Sequence, residues 1–195
     1  MINVLLLGDS IRGNYQKDVI KRLGADYDVY APADNCRFSM YTLCNITKDW
    51  LHEFPAPDIV HWNNGIWDIR RMFPEDGCFT PIDEYIRNME RILRQLKKTN
   101  AKIIFATTTP VLKKEPNEFG SIILNEDIEF YNKKIIEHLA NNVDAINDLY
   151  NLALPKLNEY LCDDKIHLNN TGKAVLGQAV ADIIKRIAKQ TAGIN

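Results

Sequence analysis

A serine near the start of the chain and an acid–histidine pair near its end are the residues best suited to chemistry. Ser10 ends the stretch LLLGDS, in which an apolar run of strand length gives way to Gly8, Asp9 and the serine. A serine hydroxyl is a weak nucleophile and needs a neighbouring base to become reactive. The stretch by itself fits three roles for Ser10, namely a nucleophile, the N-cap of the next helix or a phosphate contact.

Among the four histidines, His167 has the surroundings that a catalytic base requires. It lies in the polar segment CDDKIHLNNTGK, three residues after Asp164. This spacing lets the carboxylate accept the Nδ1 proton of the ring while Nε2 faces outward. A surface Asp–His pair of little energetic value is the alternative. His52 and His138 fit helix surfaces, and His61 lies inside a strand-like segment, which is typical of a packing residue.

Acyl transfer also requires hydrogen-bond donors for the tetrahedral oxyanion. The N–H of Ser10 is one candidate, because the N-terminus of a helix favours negative charge. The segment VHWNNGIWD offers two more in the side-chain amides of Asn63 and Asn64, followed by Gly65, which permits a tight turn or a close approach of substrate. An Asn-Gly turn without chemistry is the alternative interpretation.

Apolar runs of strand length alternate with segments of helical period along the chain. The runs predict buried strands at 2–8, 27–32, 58–64, 101–110 and 144–150. The periodic segments predict helices at 11–23, 81–98, 124–140 and 171–189. The pair Thr80-Pro81 is a cap-then-proline signal for the second of these.

Strand–helix alternation of this kind is typical of a parallel sheet covered on both faces by helices. We therefore predict a single α/β domain over residues 1–195. Ligands bind beyond the carboxyl ends of the strands in such a sheet. The segments expected at that edge are 8–12, 32–40, 62–68 and 107–112.

Composition and charge narrow the class of protein. A net charge of −2 gives no broad field that attracts nucleic acid or an anionic membrane. The four cysteines form no Cys-x-x-Cys pair and no cluster at zinc spacing, so we expect free thiols in a reducing compartment and no metal. The N-terminal apolar run is too short for a secretion signal or a membrane span, and we expect a cytoplasmic protein. The sequence has no glycine-rich phosphate loop and no G-x-S-x-G elbow.

Taken together, three blocks of the chain resemble those of the SGNH hydrolases, the GDSL-like esterase superfamily. They are GDS at 8–10, WNNGIWD at 62–68 and DKIH at 164–167. The blocks follow the family's order, with the first near the N-terminus and the last near the C-terminus. The resemblance implies a three-layer α/β/α fold of flavodoxin-like topology with a central five-stranded parallel sheet. It also implies ester hydrolysis without a metal or another cofactor.

Residue by residue, the resemblance implies a catalytic triad of Ser10, His167 and Asp164. The family's third block is normally Gly-x-Asn-Asp, and GIWD puts Trp67 at the asparagine position. The carbohydrate and sialate acetylesterase branch instead has Trp-x-Gln-Gly, to which WNNG is similar. That match assigns the amide role to Asn64.

Two positions in the implied oxyanion hole remain open. Asn63 is the alternative to its neighbour Asn64, since adjacent strand residues point to opposite faces. The second block normally supplies a glycine N–H, but PADNCRFSMY contains no glycine. We expect the N–H of Ser39 or a neighbour to take this place, with Arg37 on the rim.

The expected function is cleavage of an ester, with a short acyl or acetyl group as the part removed. Arg12, Arg37 and Trp67 are the candidate substrate-binding residues, and segments 31–45 and 65–80 are the predicted specificity loops. Aromatic side chains near strand ends stack on sugar rings, which favours an acylated carbohydrate, although aromatic residues also simply pack.

Two other functions fit parts of the same pattern. One is a non-catalytic α/β module that binds a small molecule, a nucleotide or an anion at the strand ends, against which the missing phosphate loop counts. The other is an SGNH-like scaffold that has lost activity. The altered second and third blocks favour this interpretation. The expected partner is a small-molecule ester rather than nucleic acid or a membrane, and the sequence does not determine the oligomeric state.

Overall fold

A five-stranded parallel sheet forms the centre of the computed structural model. The residues that the structure describes are 1–54, 56–112, 115–116 and 120–192, with the side chains of 191 and 192 excepted. The strands are β1 (Ile2–Leu7), β2 (Tyr27–Tyr30), β3 (Ile59–Trp62), β4 (Lys102–Ala106) and β5 (Ala145–Asn147). Their order in the sheet is β2-β1-β3-β4-β5, and every neighbouring pair is parallel. The predicted α/β fold is confirmed.

Strand β1 shows why the sequence reads as apolar on both faces. Val4 and Leu6 belong to one hydrophobic cluster, whereas Leu5 and Leu7 belong to another on the opposite side of the sheet. All four side chains are fully buried. Alternate strand residues point to opposite faces, so both faces must be covered by helices.

The helices form the two outer layers. In chain order they are α1 (Ser10–Leu23), α2 (Ser39–Asn45), α3 (Leu51–Glu53), α4 (Ile66–Ile69), α5 (Ile82–Lys97), α6 (Asn125–Leu139), α7 (Leu149–Ala153), α8 (Leu157–Tyr160) and α9 (Asn170–Ala192). A π-helical turn connects α2 to α3. Helices α1 and α9 supply core residues to one face of the sheet, and α5 and α6 supply them to the other. None of the described helices is long and apolar enough to cross a membrane.

The structure corrects several predicted element boundaries. The predicted strand 101–110 ends at Ala106, because the N–H and carbonyl of Thr108 bond to the side chain of Asn132 instead of continuing the ladder. The predicted strand 144–150 ends at Asn147, and α7 begins two residues later. Pro81 lies at the N-cap of α5 without a capping side chain. The short helices were missed because they are too brief for a periodic pattern to emerge.

Packing of α1 against α9 joins the two ends of the chain. A Cβ at Gly177 of α9 would lie 2.7 Å from the Cβ of Asp18, so the glycine permits this close approach. The N–H of Leu168, just before α9, donates to Oδ1 of Asn14 in α1 at 2.9 Å. The segment that precedes α9 is thereby held beside the N-terminus of α1.

Candidate active site

Ser10 is the first residue of α1, and its neighbour Asp9 caps that helix. Oδ1 of Asp9 accepts the N–H of Ile11 at 2.9 Å, which leaves the serine hydroxyl free of the capping role. Burial raises the pKa of Asp9 to about 6, although the Ile11 N–H and the charges of Arg12 and His167 oppose the rise. The N–H of Ser10 lies in the first turn, where amide groups have no partner within their own helix.

The segment before α9 brings His167 to Ser10. Oγ of Ser10 lies 2.9 Å from Nε2 of His167, and Nδ1 of that ring lies 2.6 Å from Oδ2 of Asp164. The two ends of the chain, 157 residues apart, therefore form one hydrogen-bonded series. With Nδ1 protonated, the imidazole donates to the carboxylate and accepts the serine proton at Nε2.

A tight turn of backbone fixes the orientation of the acid. Oδ1 of Asp164 accepts the N–H groups of Ile166 and His167 at 3.0 and 2.9 Å. Lys165 within the turn has a left-handed φ of 68°. Partial burial acts to raise the pKa of Asp164, but these two N–H groups and the His167 ring outweigh it and hold the pKa at about 2. The carboxylate of Asp164 is therefore ionised at neutral pH.

A cavity of about 170 Å³ opens at the Ser10–His167 pair. Its lining residues are Ser10, Asn35, Ile66, Trp67, Arg70, Ile123, Ile166 and His167. A second cavity of about 70 Å³ adjoins it and shares Arg70, Ile123 and Ile166. Of the three predicted substrate-binding residues, Trp67 lines the cavity beside the serine.

The two predicted arginines contact other parts of the protein. Arg12 is buried, and its guanidinium donates to the carbonyls of Gly8 and Asp34 at 3.3 and 3.0 Å. Arg37 is exposed, pairs with Asp34 at 3.6 Å and lies 4.6 Å from the centre of the Tyr41 ring. Neither side chain lines the cavity, so the structure does not bring them to the predicted substrate site.

The amide of Asn64 is also used elsewhere. Its Nδ2 donates to the carbonyl of Arg37 at 3.0 Å and to Oγ1 of Thr42 at 2.8 Å, and its Oδ1 accepts Nε1–H of Trp62 at 2.8 Å. Asn64 is fully buried. Both amide protons are therefore occupied, and this placement differs from the predicted oxyanion role.

The other predicted donors are likewise engaged. The N–H of Ser39 donates to both carboxylate oxygens of Asp68 at 2.9 and 3.0 Å, and its hydroxyl donates to the same group at 2.6 Å. Asn63 donates to the carbonyl of Ala106 at 2.9 Å and lines a separate void of about 10 Å³ beside Asp9. Only the N–H of Ser10, among the predicted oxyanion donors, belongs to a residue that lines the cavity.

Asn35 and Trp67 also line the cavity and carry side-chain N–H groups, but they were not singled out as donors. Oδ1 of Asn35 accepts the N–H of Arg37 at 2.8 Å, and its Nδ2 bonds to nothing in the described part of the chain. Nε1–H of Trp67 likewise has no acceptor among the described residues. The sequence held a signal for both, because Asn35 follows β2 at the predicted ligand edge and Trp67 occupies the asparagine position of the third block.

Gly65 explains how α4 reaches this position. A Cβ there would lie 2.0 Å from Oγ1 of Thr108, so only glycine allows the chain to turn so closely past the end of β4. Helix α4 then places Trp67 at the cavity and Asp68 against Ser39, and the C-cap residue Arg70 also lines the cavity.

A comparison with protein families settles the class of this enzyme. The model of the GDSL-like lipase/acylhydrolase family matches residues 6–175, a span that contains Ser10, Asp164 and His167. The chain belongs to the GDSL-like lipase/acylhydrolase family. This GDSL-family protein is accordingly a hydrolase of carboxylic esters, and the resemblance read from its sequence is confirmed.

Solved structures show the same fold at low sequence identity. An acetyl xylan esterase, AlAXEase, superposes with a TM-score of 0.75 at 19% identity, over 94% of this chain and 100% of that one. A lipase/acylhydrolase from Enterococcus faecalis gives 0.73 at 21%, over 95% and 96%. Axe2, an acetylxylan esterase from Geobacillus stearothermophilus, gives 0.71 at 17%, over 92% of each chain. No curated protein matches this chain by sequence.

Proposed function

We propose that this GDSL-family enzyme is a serine esterase that removes a short acyl group through a Ser10–His167–Asp164 triad. The observation that carries the proposal is the hydrogen-bonded series from Ser10 Oγ to His167 and Asp164, at 2.9 and 2.6 Å, on the wall of a cavity. Nucleophile, base and orienting acid are the groups that acyl transfer by serine requires.

The reaction proceeds in two steps. His167 takes the hydroxyl proton as Ser10 attacks the ester carbonyl, and Asp164 stabilises the imidazolium that results. The imidazolium then protonates the leaving alcohol, and an acyl-serine remains. In the second step water attacks the acyl-enzyme while His167 takes a proton from it. His167 then gives this proton to Ser10 as the carboxylic acid leaves.

The oxyanion formed in both steps needs donors that are still free. We assign this role to the N–H of Ser10, Nδ2 of Asn35 and Nε1 of Trp67, because these groups belong to residues of the serine's own cavity and the side-chain donors have no other acceptor in the described chain. The donors of Ser39 and Asn64 already serve Asp68, Arg37 and Thr42, as described above.

An acetylated carbohydrate is the substrate class that we favour. A cavity of about 170 Å³ is small and suits a short acyl group. The indole of Trp67 offers an aromatic surface for a sugar ring. Two of the structural neighbours described above are acetyl xylan or acetylxylan esterases, which is consistent with this choice.

A single domain over residues 1–195 and a cytoplasmic location stay predictions from the sequence.

Labelling with a fluorophosphonate tests the proposal directly. We expect one label per chain on Ser10, and we expect the Ser10→Ala variant to remain unlabelled and to lose hydrolysis of p-nitrophenyl acetate. The circular dichroism and melting temperature of the variant verify that it is folded. A folded Ser10→Ala variant with wild-type activity would exclude the mechanism, and a chain without label or turnover would favour a binding module or an inactive scaffold.

A further inference from the structure

The cavity at Ser10 is lined by an arginine that forms no ion pair with the described residues. Nε of Arg70 donates to Oγ of Ser121 at 2.5 Å, which anchors the guanidinium. Its two terminal nitrogens form no hydrogen bond or ion pair with the described part of the chain. Arg70 is half-buried and lines both the cavity at Ser10 and the adjoining one.

Other arginines near this edge of the sheet donate hydrogen bonds to groups of the protein itself. The next residue, Arg71, binds the carboxylate of Asp127 through Nε and Nη2 at 2.8 and 2.9 Å. Arg12 donates to two main-chain carbonyls. Arg70 differs from Arg71 and Arg12 because it lines a cavity and its terminal N–H groups have no partner among the described residues. A guanidinium with both terminal groups available fits a carboxylate in bidentate geometry.

The position of Arg70 relative to His167 indicates which part of the substrate it meets. His167 and Arg70 both line the cavity at Ser10, together with Ile166, the residue before His167. In acyl transfer the leaving alcohol lies beside the histidine that protonates it. The alcohol part of an ester bound at Ser10 therefore extends toward Arg70.

We propose that Arg70 selects esters whose alcohol part bears a carboxylate. The inference rests on the proposed function and narrows its substrate class to an acylated acid, such as an acetylated sugar acid. One guanidinium compensates one negative charge, which matches a carboxylate better than a doubly charged phosphate. Glu115 lines the adjoining cavity but not the one at Ser10, and it forms no ion pair with Arg70. The carboxylate is accordingly placed on the Ser10 side of the guanidinium.

The test compares two acetyl esters of equal shape, 4-acetoxybenzoate and 4-acetoxybenzamide. We expect the wild-type enzyme to prefer the carboxylate probe in kcat/KM, and the ratio of the two values to fall about tenfold in Arg70→Gln. Arg70→Lys retains the charge without the planar fork and should retain part of the preference. The exposed Arg94 on α5 provides the matched control, since Arg94→Gln should leave the ratio unchanged.

The outcomes separate this inference from the proposed function. Equal ratios in the wild type and a folded Arg70→Gln variant would overturn the role of Arg70 while p-nitrophenyl acetate is still cleaved. Absence of turnover on every ester by the wild type would instead overturn the esterase proposal. If Arg70→Gln does not fold, the salt dependence of the wild-type ratio tests the inference instead. We expect the preference for the carboxylate probe to weaken between about 20 mM and about 500 mM salt, because salt screens charges. A ratio that is independent of salt contradicts the inference.

Discussion

The two ends of the chain and its middle bring polar side chains to the same edge of the sheet, but they use them differently. At the ends, Ser10, Asp164 and His167 bond to one another and remain partly open to solvent. In the middle, Ser39 and Asn64 are fully buried, and their donors are satisfied by other protein groups.

This difference in hydrogen bonding distinguishes the proposed catalytic groups from polar groups that hold a loop in place. A buried polar atom must be paired, so complete pairing is the mark of a structural role. The side chains of His167 and Asp164 are 38% and 44% exposed, and Ser10 and His167 line a cavity. We therefore expect Ser39 and Asn64 to position the site, whereas Ser10, His167 and Asp164 carry the proton transfers of the proposed mechanism.

The largest expected effect is on Asp164. We expect Asp164→Asn to lower kcat about 10⁴-fold, because an amide no longer fixes the productive tautomer of His167. The adjacent, exposed Asp163 supplies the control, and Asp163→Asn should retain wild-type turnover of p-nitrophenyl acetate. Equal losses in the two variants would show that general charge, rather than this hydrogen bond, controls the rate.

Next in size are the newly assigned oxyanion donors. We expect Trp67→Phe, which keeps an aromatic ring but removes the N–H, to lower kcat by about 10²-fold, and Asn35→Ala to act similarly. KM should change much less, since these bonds strengthen in the transition state. A Trp67→Phe enzyme with normal kcat would remove the indole from the oxyanion hole.

Asn64 provides the contrasting case in the middle of the chain. We expect Asn64→Ala to lower the free energy of unfolding by about 2–3 kcal/mol, because Trp62 Nε1–H and two acceptors lose a buried partner. Its kcat should fall far less than that of Trp67→Phe. The reverse result, a stable enzyme with a large loss of kcat, would restore the oxyanion role to Asn64.

The last effect, which is spread over two pH units, concerns the buried carboxyl of Asp68. Burial raises its pKa to about 6, against the opposing hydrogen bonds from Ser39. The folded protein then binds an extra proton between about pH 4 and pH 6, so the free energy of unfolding falls as the pH rises through this window, by up to about 3 kcal/mol from this group. Asp9, with a pKa also near 6, adds a slope of the same sign.

Urea denaturation at several pH values in this window measures the slope. It should be smaller in Asp68→Asn than in the wild type and unchanged in Asp26→Asn, which alters an exposed acid. Parallel curves for all three proteins would contradict the elevated pKa of Asp68.

The sequence by itself determined the sheet, its long helices and the triad candidates. Strands such as β1 are apolar on both faces, and amphipathic helices such as α5 repeat over several turns, so local pattern is enough to find them. Ser10, Asp164 and His167 were identified because each belongs to a short motif whose chemistry depends on residue type and spacing.

Only the tertiary structure decided which of the remaining polar residues are free. Ser39 and Asn64 have the right residue types at the right edge of the sheet, but their partners come from Asp68 and Thr42, more than 20 positions away in sequence. Trp67 lines the cavity because the chain turns at Gly65, past Thr108, just before α4. Asn35 reaches the same cavity from the segment between β2 and α2. A sequence shows which donors exist, whereas hydrogen bonds between distant segments determine which donors are left for a substrate.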